Sequence, residues 1–416
     1  MVNFNAPISW KHSPGFDDLE LLDDLQGNIL KGHGRKHVRL LFLQFAGQNQ
    51  GRALVRRLAP FVTSAFEQLQ DADTLKRTKR EGPPFVSLML SPWGYQALGR
   101  ALPPSNSFAA GMKGQAAALG DNPNTWDPPY VANNVDAVLL IAVGNDTADA
   151  GFVTSLEASY RLLIGGDASV VAAERGRVLE RGAVSVEPFG YADGLSQPLM
   201  LQEDVDAFGS RPASNWNPAF PISNALVRCP TGGPAAHGSF FVFRKLEQDV
   251  DRFDKSTTMA AALLATSREE IGARIVGRAL DGTPRTTSVT PRGYDRPSND
   301  FSYAADAGVR CPVNAHVRLA NPRALNGLAQ GVARPQNFVR RGMPYAEPDT
   351  PPGPGGYQGP AAKQKAGLLF MAYNSDLAVQ FEAVQAALAP DLLNQFVTVR
   401  GGEYFFAPSI SGLHNV

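Results

Sequence analysis

"AVLLIAVGNDTADAGFVTSLEASYRLLIG", residues 137–165, changes its period midway. Residues 137–143 form a continuous apolar run, short enough to be a buried strand. From Ala150 onward, Phe152, Val153, Leu156, Tyr160 and Leu163 recur at helical spacing, so the stretch predicts a helix over 150–165. A strand feeding directly into a helix is the fold's basic unit here.

Working outward, that unit recurs. "KHVRLLFLQF" (36–45) is strand-like and leads into the helical "GRALVRRLAPFVTSAFEQLQ" (51–70), after which "FVSLMLS" (85–91) reads as a buried strand. The second half repeats the habit with "GSFFVFRKL" (238–246) as a strand and "DKSTTMAAALLATS" (254–267) as a helix. "AGLLFMAYN" (366–374), "DLAVQFEAVQAAL" (376–388) and "GEYFFAP" (402–408) then give strand, helix and strand. Each half reads β-α-β…β-α-β, which predicts an α+β fold of two sandwiches with helices covering sheets. Residues 285–360 carry little period, and their tail "EPDTPPGPGGYQGP" (347–360) reads as a Pro/Gly-rich loop. A loop region this long is usually functional or disordered.

Bulk properties exclude several classes. Thirty-nine basic residues balance thirty-nine acidic ones in 416, so no net field recommends nucleic acid or an anionic membrane. Hydrophobic residues make up 44% and charged ones 19%, as in a globular protein. No apolar run approaches the roughly 20 residues a membrane span needs. The first twenty residues lack a signal-like apolar region, so a cytoplasmic address is expected. Two cysteines, Cys229 and Cys311, are too few for a disulfide scaffold or a cysteine-held cluster, and they read as ordinary thiols. Trp10, Trp93, Trp126 and Trp216 read as packing residues.

Three short stretches carry chemistry. "EPFGYADGLSQP" (187–198) sets Asp193 in a glycine-flanked turn among Phe189, Tyr191 and Leu195. The turn either packs against a core or holds a carboxylate in an apolar pocket for a task. "NAHVRLANPR" (314–323) contains one of six histidines, His316. There is no HExxH pair, and His33 and His37, the one pair at HxxxH spacing, flank a basic junction that reads as solvated. A lone histidine among apolar residues suits a metal whose other ligands come from a cofactor, as in haem. "NFVRRGMPY" (337–345) contains adjacent Arg340 and Arg341, ordinarily a surface pair in a turn, yet also the donors an oxyanion requires.

Together the three stretches resemble the GxxDG, proximal-histidine and distal-arginine segments of the dye-decolorizing peroxidases. "LQGNILKGHGR" (25–35) is similar to that family's N-terminal signature, and "GSFFVFRKLEQDV", "GLLFMAYNSDL" and "GGEYFFAPS" are similar to its later strands. The matches keep the family's order along nearly the whole chain, in the manner of its larger, advanced subgroup. The resemblance implies two ferredoxin-like domains, 1–185 and 186–416, with haem b between them and held mainly by the second. It implies His316 as proximal iron ligand, and Asp193 with Arg340 as the distal pair driving O–O heterolysis of hydrogen peroxide. Arg323 is implied to meet a haem propionate, with Gly190, Gly194 and Phe370 bordering the cofactor. Gly342 stands where relatives often carry Ser or Asn, so a hydrogen bond to distal water is missing. Phenols and dyes are the implied reductants, and the oligomeric state is left open. A haem-handling protein with incidental peroxidase activity is the second reading; it has no need of the Asp–Arg pair. For the carboxylate behind His316, the strand-helix unit around residues 366–388 offers Asp376 and Glu382. Asp376 reads as a helix N-cap, so Glu382 is the expected partner.

Overall fold

The structure is a computed structural model that describes residues 1–144, 150–182, 184–208, 217–294, 299–323, 336–347 and 365–416. Trp216 and nearly all of the Pro/Gly-rich stretch lie outside these residues. In the first half, strands β1 (His37–Phe45), β2 (Phe85–Leu90), β3 (Ala137–Val143) and β4 (Ala168–Arg177) alternate with helices α1 (Gln48–Leu58), α2 (Ala65–Thr78) and α3 (Ala150–Ile164). In the second half, β5 (His237–Gln248), β6 (Met343–Glu347), β7 (Lys365–Asn374) and β8 (Val397–Ala407) do the same with α4 (Val250–Leu263) and α5 (Arg268–Val276).

Local chemistry explains these elements. β2 and β3 are buried at every position, which is why they read as unbroken apolar runs rather than alternating ones. α2 starts with a capping box in which Ser64 Oγ accepts from Glu67 N at 3.1 Å and Glu67 Oε2 accepts from Ser64 N at 2.9 Å.

The strands form one antiparallel path, β6-β7-β5-β8-β2-β3-β1-β4. Within each half the order is fourth, first, third, second, the ferredoxin-like arrangement, so the α+β expectation of two such modules holds. The halves join where Phe406 of β8 pairs with Leu90 of β2. The outer edges also converge: a Cβ on Gly176 of β4 would lie 2.9 Å from Met343 Cβ of β6. That near-closure leaves little open edge. Between the halves, Phe42 of β1 meets Phe243 of β5 at 4.7 Å and Phe405 of β8 at 6.3 Å. Phe42 is fully buried, and removing such a ring costs about 3–5 kcal/mol. Among the described residues, no helix is long and apolar enough to cross a membrane.

Candidate active site

The stretch 187–198 follows a small hairpin (Leu179–Arg181 with Val184–Val186) and leads toward the second half. Its apolar residues serve as anchors. Phe189 lies 4.6 Å from the ring of Phe253 on α4, and Tyr191 meets the same ring edge-on at 6.1 Å. The Tyr191 hydroxyl sits where residue 272 of α5 would carry a Cβ, 1.9 Å away, which requires Gly272. Gly190 and Gly194 have φ of +94° and +74°, the left-handed region that favours glycine. The backbone then pins Asp193: Ala192 N donates to Leu280 O and Asp193 N to Ser185 O, both at 2.9 Å. A Cβ on Gly194 would meet no heavy atom within 4 Å, so open volume borders the Asp193 turn.

Arg340 lies on a two-residue strand, Val339–Arg340, paired with β7 opposite Ala372. Its backbone N donates to Gln197 Oε1 at 3.1 Å, tying it to the same stretch that carries Asp193. Burial lowers the Arg340 pKa and the Asp193 carboxylate opposes that shift, so the two groups stand within electrostatic reach. Arg341 points elsewhere, donating to Asn28 O at 2.8 Å and Ile29 O at 3.1 Å. Adjacent strand residues face opposite sides, which separates the roles of the pair.

Arg323 is buried beside the Asp193 stretch, donating to Ser196 Oγ at 3.1 Å and to Asn299 O. Its guanidinium lies 3.9 Å above the Phe301 ring. Arg278 joins it, 4.9 Å over Phe301 and donating to Ser196 Oγ at 3.2 Å and Asn299 Oδ1 at 2.7 Å. Burial brings its pKa down to about 10, so it remains a cation at neutral pH.

His316 opens the short helix α6 (His316–Ala320). Val317 beside it packs in the same apolar cluster as Phe189 and Tyr191. The Nδ1 of His316 is 2.6 Å from Asp391 Oδ2. The Asp391 side chain is only 2% exposed while that of His316 is 38% exposed. A carboxylate accepts, so Nδ1 carries the proton and the Nε2 lone pair is left to bind a metal. This donor set would suit an imidazole ligand to haem iron.

The Glu382 expectation is overturned. Glu382 accepts instead from the Tyr404 hydroxyl at 2.9 Å and from Ser107 Oγ at 3.0 Å. The chain from Leu377 to Glu382 forms a π-helical turn, which rotates Glu382 off the face that 3.6-residue spacing assigns to it. Asp376 is the N-cap, accepting from Val379 N at 3.0 Å. The partner, Asp391, lies 75 residues from His316 at the end of the next helical turn. Leu392 N donates to Asn314 O at 3.2 Å and brings that turn in. Phe370 packs between Phe338 (6.3 Å) and Phe381 (5.9 Å) on β7.

His33 is also corrected. It stacks on Phe85 at 5.1 Å, and its Nδ1 accepts from Arg35 N at 3.0 Å. Burial, then Arg341 and Arg35, push its pKa down to about 3. Sequence reasoning missed Asp391, Arg278, Gln197 and Ser196. Ser196 and Gln197 could have been found, because they lie inside the quoted stretch.

On paired ferredoxin-like modules, Asp193 within electrostatic reach of Arg340 and an imidazole backed by Asp391 are groups suited to haem-peroxidase chemistry. Comparison with known proteins gives the family. Residues 24–178 match the DyP dimeric alpha+beta barrel domain and residues 217–412 the C-terminal part of Dyp-type peroxidases. The multifunctional dye peroxidase DyP2 of Amycolatopsis sp. is 35% identical over 468 aligned positions, covering all of both chains. Its solved structure superposes with a TM-score of 0.90 at 33% identity, again over the whole of both chains. A DyP-type peroxidase from Anabaena sp. gives 0.85 at 30% identity over 98% of this chain and 97% of that one. A dye-decolorizing peroxidase in complex with 2,6-dimethoxyphenol gives 0.75 at 26% identity over 94% and 98%. The chain belongs to the Dyp-type peroxidase family and is a peroxidase.

Proposed function

We propose that the protein binds haem b through His316 and uses hydrogen peroxide to oxidise phenolic or dye-like aromatics. The observation that carries this reading is the conjunction in one chain of an Asp391-backed His316 with Asp193 and Arg340 tied to a single stretch. When bound, haem iron supplies the coordination site for peroxide and the electrons for cleaving its O–O bond.

The protein's own residues supply the rest. Asp391 holds His316 in one tautomer and gives the imidazole anionic character. Asp193 takes the proton from the inner peroxide oxygen and returns it to the departing one, acting as base and then acid. Arg340 stabilises negative charge on the leaving oxygen, as an oxyanion-hole donor does. Arg323 and Arg278 present two buried cations to the propionates. Gly190 and Gly194 shape the turn, and Phe370 borders the cofactor. Gly342 contributes no side-chain hydrogen bond to distal water. Division of the chain into 1–185 and 186–416, with the second part carrying most of the haem contacts, belongs to the same reading.

Two variants test it. His316→Ala is expected to lose most of the haem absorbance of the purified protein. Asp193→Asn should keep the haem and slow the reaction with peroxide by about 10²–10⁴-fold in stopped flow. Unchanged haem content and ferric spectrum in His316→Ala would refute the ligand assignment. A haem-handling protein without turnover would instead show no loss with Asp193→Asn.

A further inference from the structure

Glu187 opens the stretch that carries Asp193, yet nothing in the peroxide chemistry above uses it. Its carboxylate is turned inward under the loop. Oε1 accepts from Tyr191 N at 2.9 Å, and Oε2 accepts from Phe189 N at 2.9 Å and from Gln248 Nε2 at 2.6 Å. The Glu187 backbone closes the same turn, donating from N to Tyr191 O at 3.0 Å and accepting at O from Gly190 N at 2.7 Å. One side chain therefore fixes both ends of the three-residue turn 189–191, two residues before Asp193. Gln248 is the last residue of β5, in register with Val397 of β8 and Ala366 of β7. The carboxylate thus couples the Asp193 loop to the sheet. Burial raises the Glu187 pKa to about 7, so the group is kept at a cost in solvation that a surface turn would not carry.

We propose that Glu187 is a positioning residue for the peroxide reaction: its carboxylate, by holding the Phe189 and Tyr191 peptide N–H groups, sets where the Asp193 carboxyl stands. This rests on the peroxidase reading and deepens it. Replacement by Gln keeps the shape but swaps one acceptor oxygen for an NH₂ group. In one orientation that NH₂ confronts Tyr191 N–H, and in the other Phe189 N–H, so one loop bond is lost in either. Gln248→Met removes only the side-chain donor and leaves both loop bonds.

The test uses the haem-loaded protein and hydrogen cyanide, which must give up a proton to a distal base as it binds. Glu187→Gln is expected to keep haem content and ferric spectrum while its cyanide association rate falls between tenfold and a hundredfold. Displacing a reacting group by about 1 Å costs on that order. Gln248→Met should stay within about threefold of the parent. The double variant Asp193→Asn/Glu187→Gln should be no slower than Asp193→Asn alone, because Glu187 acts only through Asp193. If Glu187→Gln folds poorly, Glu187→Asp, which keeps the charge but reaches one bond length less far, should give an intermediate rate. A parental rate in Glu187→Gln with full haem overturns this inference alone, as do losses that multiply in the double variant or an equal loss in Gln248→Met. A parent protein that takes up no haem overturns the peroxidase reading and this inference with it.

Discussion

Glu187 also makes a prediction independent of peroxide. Burial raises its carboxyl pKa from the ordinary 4.5 to about 7, with the neighbouring Asp193 charge adding to the shift. The folded state therefore holds a proton that the unfolded chain releases between those values. A raised acid pKa makes stability fall as pH rises through that window, the reverse of an ordinary paired carboxylate. The shift corresponds to roughly 3 kcal/mol at about 1.4 kcal/mol per unit, reduced toward about 2 because Glu187 is only half-buried as a residue. Glu187→Gln has no proton to lose. The stability of the parent relative to the variant should therefore drop by about 2 kcal/mol between pH 4.5 and pH 7.5. For a chain of this length that is a relative change of about 2–3 °C in melting temperature. Calorimetry or urea unfolding of both proteins across the window, in one buffer series, measures it. Parallel curves would show that the Glu187 carboxyl does not bind a proton more tightly in the folded state, and would refute the argument.

Asp391→Asn should raise the ferric/ferrous reduction potential, because the imidazole loses anionic character, and should weaken haem retention. Spectroelectrochemistry on the same day should find Glu382→Gln silent, since that carboxylate serves Tyr404 and Ser107. Arg341→Met, which frees Arg340 from its tie to the N-terminal segment without touching Asp193, should slow the peroxide reaction by about tenfold with haem retained; an unchanged stopped-flow rate would remove Arg341 from the argument.

The sequence makes the strands plain where both faces are covered and obscure where charges enter the sheet. β2 and β3 are apolar throughout and could be read directly. β4, "ASVVAAERGR", was invisible because small and charged residues break its pattern. The reason is structural: Glu174 is buried on that strand because Lys245 Nζ lies 3.1 Å away and the Tyr130 hydroxyl donates to it at 2.9 Å. A charge neutralised by a residue 71 positions on leaves no local trace in the chain. The site divides the same way. Asp193, Arg340 and His316 stand in short motifs whose glycines, prolines and apolar neighbours are local. Asp391 was out of reach, because its tie to His316 is a hydrogen bond made across 75 residues. The Glu382 expectation failed on period, since a π-helical turn advances each residue by a smaller angle than the α-helix assumed.

The N-terminal signature shows how far a motif can be legible without its reason being so. "LQGNILKGHGR" gives family resemblance, and its chemistry appears only in the folded chain. Asn28 adopts φ +68°, a conformation asparagine tolerates better than most residues. Its N donates to Gln68 Oε1 at 2.5 Å and its Oδ1 accepts from His33 N at 3.1 Å, so the turn is held from both sides. The carbonyls of Asn28 and Ile29 are thereby free to receive the Arg341 guanidinium. Burial, opposed by the nearby Tyr373 and aided by Arg340, brings the Arg341 pKa down to about 10, so it remains charged at neutral pH and needs those acceptors. Arg341 NH1 also donates to the Arg340 carbonyl at 2.9 Å. One cation thus joins the first ferredoxin-like module to the peptide unit that carries Arg340. Adjacent strand residues face opposite sides, so Arg341 makes this tie while Arg340 is turned the other way.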